Sequence, residues 1–385
     1  MTASEASFDF DLLGRAPDVE AENLQAFDAA DKLLLDTAGS DLEAAASGSG
    51  APVVIGDSYG ALTLGAAARY SLAGIRVYQD PFSGQLALDR NAEALGLAGR
   101  YTHWGLEPGL VSGAGVILLR LPRSLDALDE IARLVAEHAP SNVRIYAGGR
   151  IKHMTTAMNG VLGQYFQSVT AGLARQKSRV LTVMGPLPAD GFPASRFPLE
   201  AAYDVGLPVP LQLRARGAAF GGASLDPGTR FLLPFLAQAR EAGEAVDLGC
   251  GNGAIAAYLA LHRPGIRVLA SDQSEAAVAS TRLTLAANGV LDRAAVQRAD
   301  ALNWLPDTSQ DLVVLNPPFH IGASVHTGIA YKLFADAARV LRPGGELWTV
   351  WNSHLAYRPA LNRLVGPTRQ VARNPRFTVT VSTRR

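Results

Sequence analysis

Two short runs in the C-terminal half carry side chains whose types and spacing suit group transfer. Val246-Asp247-Leu248-Gly249-Cys250-Gly251-Asn252-Gly253 lies between a short apolar run, Ala245–Leu248, and a helix-like segment, Ala254–Leu261. Glycines at 249, 251 and 253 let backbone pass close to a ligand with no Cβ in the way. A dinucleotide turn reads G-x-G-x-x-G and prefers bare N–H groups for a pyrophosphate. Here the spacing is G-x-G-x-G, and Asp247 stands two residues before the first glycine. That carboxylate suits a ligand with an ammonium and a sulfonium, which points to S-adenosylmethionine. Asp272 ends the next strand-like run, Ile266–Asp272, placed to accept two ribose hydroxyls. Asp300, followed by Ala301, comes where a third strand should end and can reach an adenine amino group.

The second run is Asn316-Pro317-Pro318-Phe319, closing the apolar run Asp311–Asn316. The Asn316 carboxamide oxygen and the Pro317 carbonyl can each accept one N–H of an exocyclic amine. Held that way, the amine directs its lone pair at a methyl group. Phe319 can stack on a base, a contact of about 1–3 kcal/mol. The prolines fix φ and hold the acceptors in place beforehand. Asn316, Pro317 and Phe319 are therefore the expected catalytic set. Asp247, Gly249, Cys250, Gly251, Asp272, Asp300 and Ala301 are the expected donor-binding set. Cys250 reads as a small apolar filler inside the turn. No Cys/His spacing suggests a metal.

The elements that must position these runs are those of an α/β sheet. Ser274 is placed to cap a helix running to about Ala287, and a helix near Ile329–Leu341 should stop at Pro343-Gly344-Gly345. Glu346–Trp351 reads as a strand, and Phe377, Val379 and Val381 alternate like a half-exposed one. The N-terminal half repeats the scheme faintly. Pro52–Ile55 leads to Gly56-Asp57-Ser58-Tyr59-Gly60-Ala61, Ile75–Tyr78 follows, and Val116–Leu121 ends at Pro122 where the second half has Asn316-Pro317-Pro318. This is the pattern of a drifted internal duplication. Residues 186–210 hold six prolines and suit a linker.

Charge bounds the partners. Lys plus Arg and Asp plus Glu both number 35, so the whole molecule has no net pull on nucleic acid. The distribution is uneven, however. Residues 139–189 contain no acid but hold Arg144, Arg150, Lys152, Arg175, Lys177 and Arg179. From Leu347 onward there is again no acid, with Arg358, Arg363, Arg369, Arg373, Arg376, Arg384 and Arg385 present. Such faces can follow phosphates, or they can simply be solvated. No long uncharged apolar stretch predicts a membrane span, and no basic-then-apolar leader opens the chain. A single cysteine fits a reducing, cytoplasmic setting.

On these motifs the chain resembles the ribosomal RNA guanine-N2 methyltransferases of the RsmC/RlmG type, over nearly its whole length. Asn316-Pro317-Pro318-Phe319-His320 is similar to that family's catalytic loop, and Leu225-Asp226-Pro227-Gly228-Thr229-Arg230 to the segment before its donor turn. Residues 24–31, Gly60-Ala61-Leu62 and Arg373-Asn374-Pro375-Arg376-Phe377 look most like the large-subunit RlmG branch. Where the family segment reads Val-Phe-Ser before Leu-Asp, this chain has Ala219-Phe220-Gly221.

The resemblance implies an α/β fold of two tandem Rossmann-like class I methyltransferase domains, the N-terminal one degenerate. It implies a non-donor-binding, RNA-holding domain over 1–185, the linker 186–210, and a catalytic domain over 211–385. The product is then N2-methylguanosine, made on ribosomal RNA that is protein-free or in an assembly particle, by an enzyme expected to be monomeric. Two other readings compete. The acceptor amine can belong to a protein glutamine, a DNA adenine or a small molecule. Alternatively, Gly56-Asp57-Ser58-Tyr59-Gly60 matches the G-x-S-x-G nucleophile elbow, which would make Ser58 the nucleophile of a hydrolase.

Overall fold

Short apolar runs separated by helix-length segments favour parallel strands with crossover helices, and the computed structural model shows that arrangement twice. The described residues are 8–21, 24–318 and 323–385, without the side chains of 323–327. They divide into two compact units, Met1–Arg196 and Phe197–Arg385. Among the described residues, no helix is long and apolar enough to cross a membrane.

The first unit holds β1 (Ala51–Ile55), β2 (Ile75–Tyr78), β3 (Tyr101–His103), β4 (Ala114–Arg120), β5 (Arg144–Arg150), β6 (Phe166–Ala171) and β7 (Ser178–Pro186). They form one sheet in the order β3-β2-β1-β4-β5-β7-β6. A hairpin follows, β8 (Leu199–Tyr203) against β9 (Leu211–Ala215). The proline-rich stretch thus contains a paired strand, and the boundary between the units falls within it.

The second unit holds β10 (Glu244–Leu248), β11 (Arg267–Asp272), β12 (Ala294–Arg298), β13 (Gln310–Leu315), β14 (Leu341–Asn352), β15 (Thr368–Arg373) and β16 (Phe377–Thr383). Their order, β12-β11-β10-β13-β14-β16-β15, repeats that of the first sheet. In both units β-strand connections diverge between the two central strands, the place where open α/β sheets leave a crevice for ligands. The duplication inferred from sequence is therefore present in the topology.

The second sheet is covered on both faces. Ala245, Val268, Ala270 and Trp348 pack into one apolar cluster, and Val246, Leu248, Leu315 and Trp351 into another. Two sequence expectations need correction here. The helix Ala323–Val340 starts earlier than expected, and Pro343-Gly344-Gly345 lies inside β14, at a register shift against β13. β16 is not half-exposed, because it lies between β14 and β15, with Phe377 to Ser382 all buried. Its hydroxyls pair with neighbouring hydroxyls instead of facing water: Thr380 with Thr349 at 2.9 Å, Ser382 with Thr368 at 2.9 Å, and Thr378 with Ser353 just beyond β14 at 2.8 Å.

Gly253 shows why the central turn needs glycine. It caps the helix Ala254–His262 at φ +81°, and a Cβ there would lie 2.9 Å from the Thr281 Cα. Gly289, at φ +66°, has open space around it. Left-handed strain costs about 1–2 kcal/mol for a non-glycine residue. Gly289→Ala should lose roughly that much in urea unfolding, and Gly253→Ala clearly more. Equal losses would show that the Thr281 backbone yields freely.

Candidate active site

The parallel register brings the two sequence runs to one edge. Leu248 pairs with Ser271 on one side and Leu315 on the other. The residues that follow these three, Gly249, Asp272 and Asn316, therefore leave the sheet side by side. Gly249 N–H and Cys250 N–H both donate to the Ser271 carbonyl, at 2.8 and 3.0 Å. Asp272 steadies the turn from the neighbouring strand: Oδ2 accepts Gly251 N–H at 3.0 Å and Oδ1 accepts Ser274 N–H at 2.9 Å. Gly249 and Gly251 have φ of +74° and +54°, and a Cβ on either would meet nothing within 4 Å. The turn's N–H groups are thus held within the protein while its glycines leave open room, which fits a nucleoside-bearing ligand.

Asp247 lies beneath this turn. It is wholly buried, with Oδ2 accepting Ala256 N–H at 2.9 Å while Oδ1 has no partner. Burial pushes its carboxyl up to about 7, against the opposing effect of that N–H. Cys250 is buried too, and Thr281 Oγ1 donates to its Sγ at 3.2 Å. Burial pushes the thiol up, with Asp272 and Asp247 adding to the effect, so the group is no thiolate nucleophile. Asp300 stands just beyond β12, bridged by Lys332 Nζ at 2.7 and 2.6 Å. Ala301 takes a left-handed φ of +56°, and its carbonyl accepts the Ser271 hydroxyl at 2.7 Å.

Asn316 ends β13 with its amide fully specified. Nδ2 donates to Asp226 Oδ2 and to Thr229 Oγ1, each at 2.9 Å, and among the described residues the buried Oδ1 has no hydrogen-bond partner. Pro317 is buried beside it. Phe319 and His320 lie outside the described residues. Asp226 and Thr229 were not assigned a role from sequence. The available signal was Asp226 followed by Pro227, a helix N-cap with proline at the first position. Asp226 indeed caps Pro227–Leu232, accepting Thr229 N–H at 2.8 Å. A Cβ on Gly228 would fit tightly there, 3.0 Å from Asp226 Oδ2 and 3.3 Å from the Phe377 ring. Asn252 of the turn ties the preceding loop down by donating to the Gly222 and Ser224 carbonyls at 2.9 Å.

The first unit keeps this frame and changes its contents. Ile55 pairs with Tyr78 and Leu119, so Gly56, Gln79 and Arg120 stand where the second unit has Gly249, Asp272 and Asn316. The acid at the end of the neighbouring strand is replaced by an amide and the asparagine by a cation. Arg120 is bridged to Asp28 and Asp31 at 2.9 and 2.8 Å. Asp57 turns into its own loop, accepting N–H groups of Gly60, Leu62 and Thr63. The N-terminal segment closes on the same loop. Tyr59 donates to Asp18 at 2.6 Å, and Asn91 Nδ2 binds the carbonyls of Gly14 and Tyr59. Among the described residues, Ser58 makes no hydrogen bond to a histidine, and His103 pairs with Asp89. This turn is closed by its own side chains and lacks the histidine contact of a nucleophile elbow among the described residues. Among the described residues, no cluster of acids, histidines and cysteine could hold a metal.

Comparison with known proteins accords with both halves. Residues 210–381 match the methyltransferase small domain, and residues 1–186 match the RLMG N-terminal domain. The ribosomal RNA large subunit methyltransferase G of Stutzerimonas stutzeri is 36% identical over 95% of each chain, and that of Streptomyces coelicolor 34% identical over 96% of each. The chain belongs to the ribosomal RNA large subunit methyltransferase G family. A T. Thermophilus 16S rRNA N2 methyltransferase (RsmC), solved with AdoMet and guanosine, is similar with a TM-score of 0.71. At 21% identity, covering 87% of this chain and 88% of that one, it shows a shared fold. This member of the family thus carries two α/β units of the same strand order.

Proposed function

We propose that this chain transfers a methyl group from S-adenosylmethionine to the exocyclic N2 amine of a guanosine in large-subunit ribosomal RNA. The observation that carries the chemistry is Asn316: a half-buried carboxamide with both donors used and a buried oxygen that has no hydrogen-bond partner among the described residues. A buried unpaired acceptor is costly, and an incoming amine removes that cost. Family membership supports the RNA substrate and the large-subunit branch.

The donor lies over Gly249, Cys250 and Gly251. Asp272 accepts its ribose hydroxyls and the Asp247 Oδ1 its ammonium. Asp300 and Ala301 face its adenine. A carboxylate offers about four lone-pair sites, so Asp300 can bind an amino group while still bridged to Lys332. Bound there, S-adenosylmethionine supplies a methyl group on a good leaving group. Asn316 Oδ1 and the Pro317 carbonyl orient the amine, Phe319 stacks on its base, and no strong base is needed. The rate gain is mainly positional, where effective molarities of about 10⁵ M or more are attainable.

RNA is held along the rim of the catalytic unit and by the N-terminal domain. Only part of the basic stretch 358–385 can serve. Phe377 pairs with Asn352 at the edge that carries Asn316, whereas Thr383 pairs with Glu346 at the other end of the sheet. Arg373 and Arg376 flank the turn at the active edge, and Arg384 and Arg385 lie at the far one. The cations of 139–189 are the contribution of the first domain, taken as residues 1–185. Flipping a base from a duplex costs a few kcal/mol, which favours open RNA, protein-free or in an assembly particle. The working form is a cytoplasmic monomer.

Ribosomal RNA from cells lacking this protein, given the purified chain and labelled donor, should yield labelled N2-methylguanosine, and Asn316→Ala should cut turnover about 10²–10³-fold. Label in DNA or protein fractions, or in another nucleoside, would overturn the substrate assignment. Asp247 must be ionised to accept the ammonium. Donor affinity should therefore fall up to about tenfold per pH unit below pH 7, and Asp247→Asn should bind weakly with a flat profile. A flat wild-type profile would confine Asp247 to capping its helix. Arg373→Ala with Arg376→Ala should weaken RNA binding and make its log–log salt slope shallower by about one to two. An unchanged slope would remove both from the RNA path.

A further inference from the structure

The structure assigns to Asp226 and Thr229 the task of fixing which end of the Asn316 carboxamide meets the substrate. The inference rests on the reading above, in which Asn316 must accept from an amine. A carboxamide can turn over, exchanging its oxygen for an NH₂ of nearly the same shape. Turned over, Asn316 would point N–H groups at the N–H groups of the amine, and the site would repel what it should grip. Asp226 decides between the two. Its ionised carboxylate has no hydrogen to give, so only Nδ2 can face it, at 2.9 Å. Thr229 Oγ1 takes the second hydrogen at 2.9 Å. With both hydrogens consumed, Oδ1 is left buried and unpaired.

The internal duplicate supports a role beyond holding the fold. There Asp28 caps the helix Ala29–Thr37, as Asp226 caps Pro227–Leu232. Asp31 occupies the third helical position, as Thr229 does. Opposite them is Arg120, a residue with donors only, bridged by both acids. The capping acid is kept in both units, but it faces a guanidinium in the first and an amide in the second, whose oxygen takes no hydrogen bond among the described residues. The acid thus serves the fold in either unit and selects an acceptor only where an amide stands opposite.

Asp226→Asn separates the two duties, because asparagine caps helices as well as aspartate but can donate to Asn316 and let it turn over. Its kcat should fall about 10- to 100-fold, with S-adenosylmethionine Kd and melting temperature close to wild type. Thr229→Val should lose kcat in the same way and Thr229→Ser should keep it. The decisive variant is the exchange Asp226→Asn with Asn316→Asp. Asn316→Asp alone sets two carboxylates against each other. The double variant restores a donor–acceptor pair and again presents an oxygen, so its kcat should exceed that of Asn316→Asp at least about tenfold. Wild-type kcat in both Asp226→Asn and Thr229→Val, or a double variant no better than Asn316→Asp, would overturn the assignment. Full turnover by Asn316→Ala would instead overturn the reading on which it rests.

Discussion

A carboxamide has one end that donates and one that accepts, and at the end of β13 burial forces a choice. Asn316 sits where its Nδ2 meets a carboxylate and a hydroxyl, and its buried Oδ1 finds no donor among the described residues. In a low-dielectric setting an unpaired acceptor is a strong attractor for the right donor. The surrounding structure exists to hold that group beside an open turn. Parallel pairing of β10 with β11 and β13 sets Gly249, Asp272 and Asn316 in one row. The helix cap at Asp226, distant in sequence, then locks the amide. Rigid strand ends supply the precision and the glycine turn supplies the room.

The two units show what is fold and what is function. The strand order is the same, Gly60 and Gly253 both cap the helix after the turn in left-handed conformations, and the first turn glycine donates to the same neighbouring-strand carbonyl in each. Those features hold a strand–turn–helix together and persist without a ligand. What differs is what fills the crevice. In the first unit Asp57 accepts the N-cap N–H of Gly60 and two helical N–H groups from within the loop, and Arg120 with its acids occupies the amide's place. In the second unit the carboxylate retreats to Asp247, below the turn, and caps from there. The acid thus stands inside the loop in the first unit and on the strand beneath it in the second.

The legible parts of the sequence were those set by neighbours. The strands around Asp247, Asp272 and Asn316, the Ser274 cap and the glycine turn all follow from short-range pattern, and each lies within a residue or so of its expected bounds. The duplication was legible because Pro52–Ile55, Ile75–Tyr78 and Val116–Leu121 repeat the same spacing. Contacts across long separations were not. Asp226 and Asn316 stand 90 positions apart, and no periodicity links them. Lys332 reaches Asp300 from a helix whose charge gives no hint of it. β16 was misjudged because its threonines read as solvent-facing, whereas paired hydroxyls let them be buried between two strands. The edge strand β15, rich in arginine and glutamine, carries too weak an alternation to be recognised.

The most direct measurement is a crystal structure of the chain with S-adenosylmethionine and guanosine both bound. The account predicts the donor across Gly249 and Gly251 with its ribose on Asp272, and the guanine N2 about 3 Å from Asn316 Oδ1, while Nδ2 stays on Asp226. A donor seated in the N-terminal unit, or a guanine amine turned away from that oxygen, would contradict it.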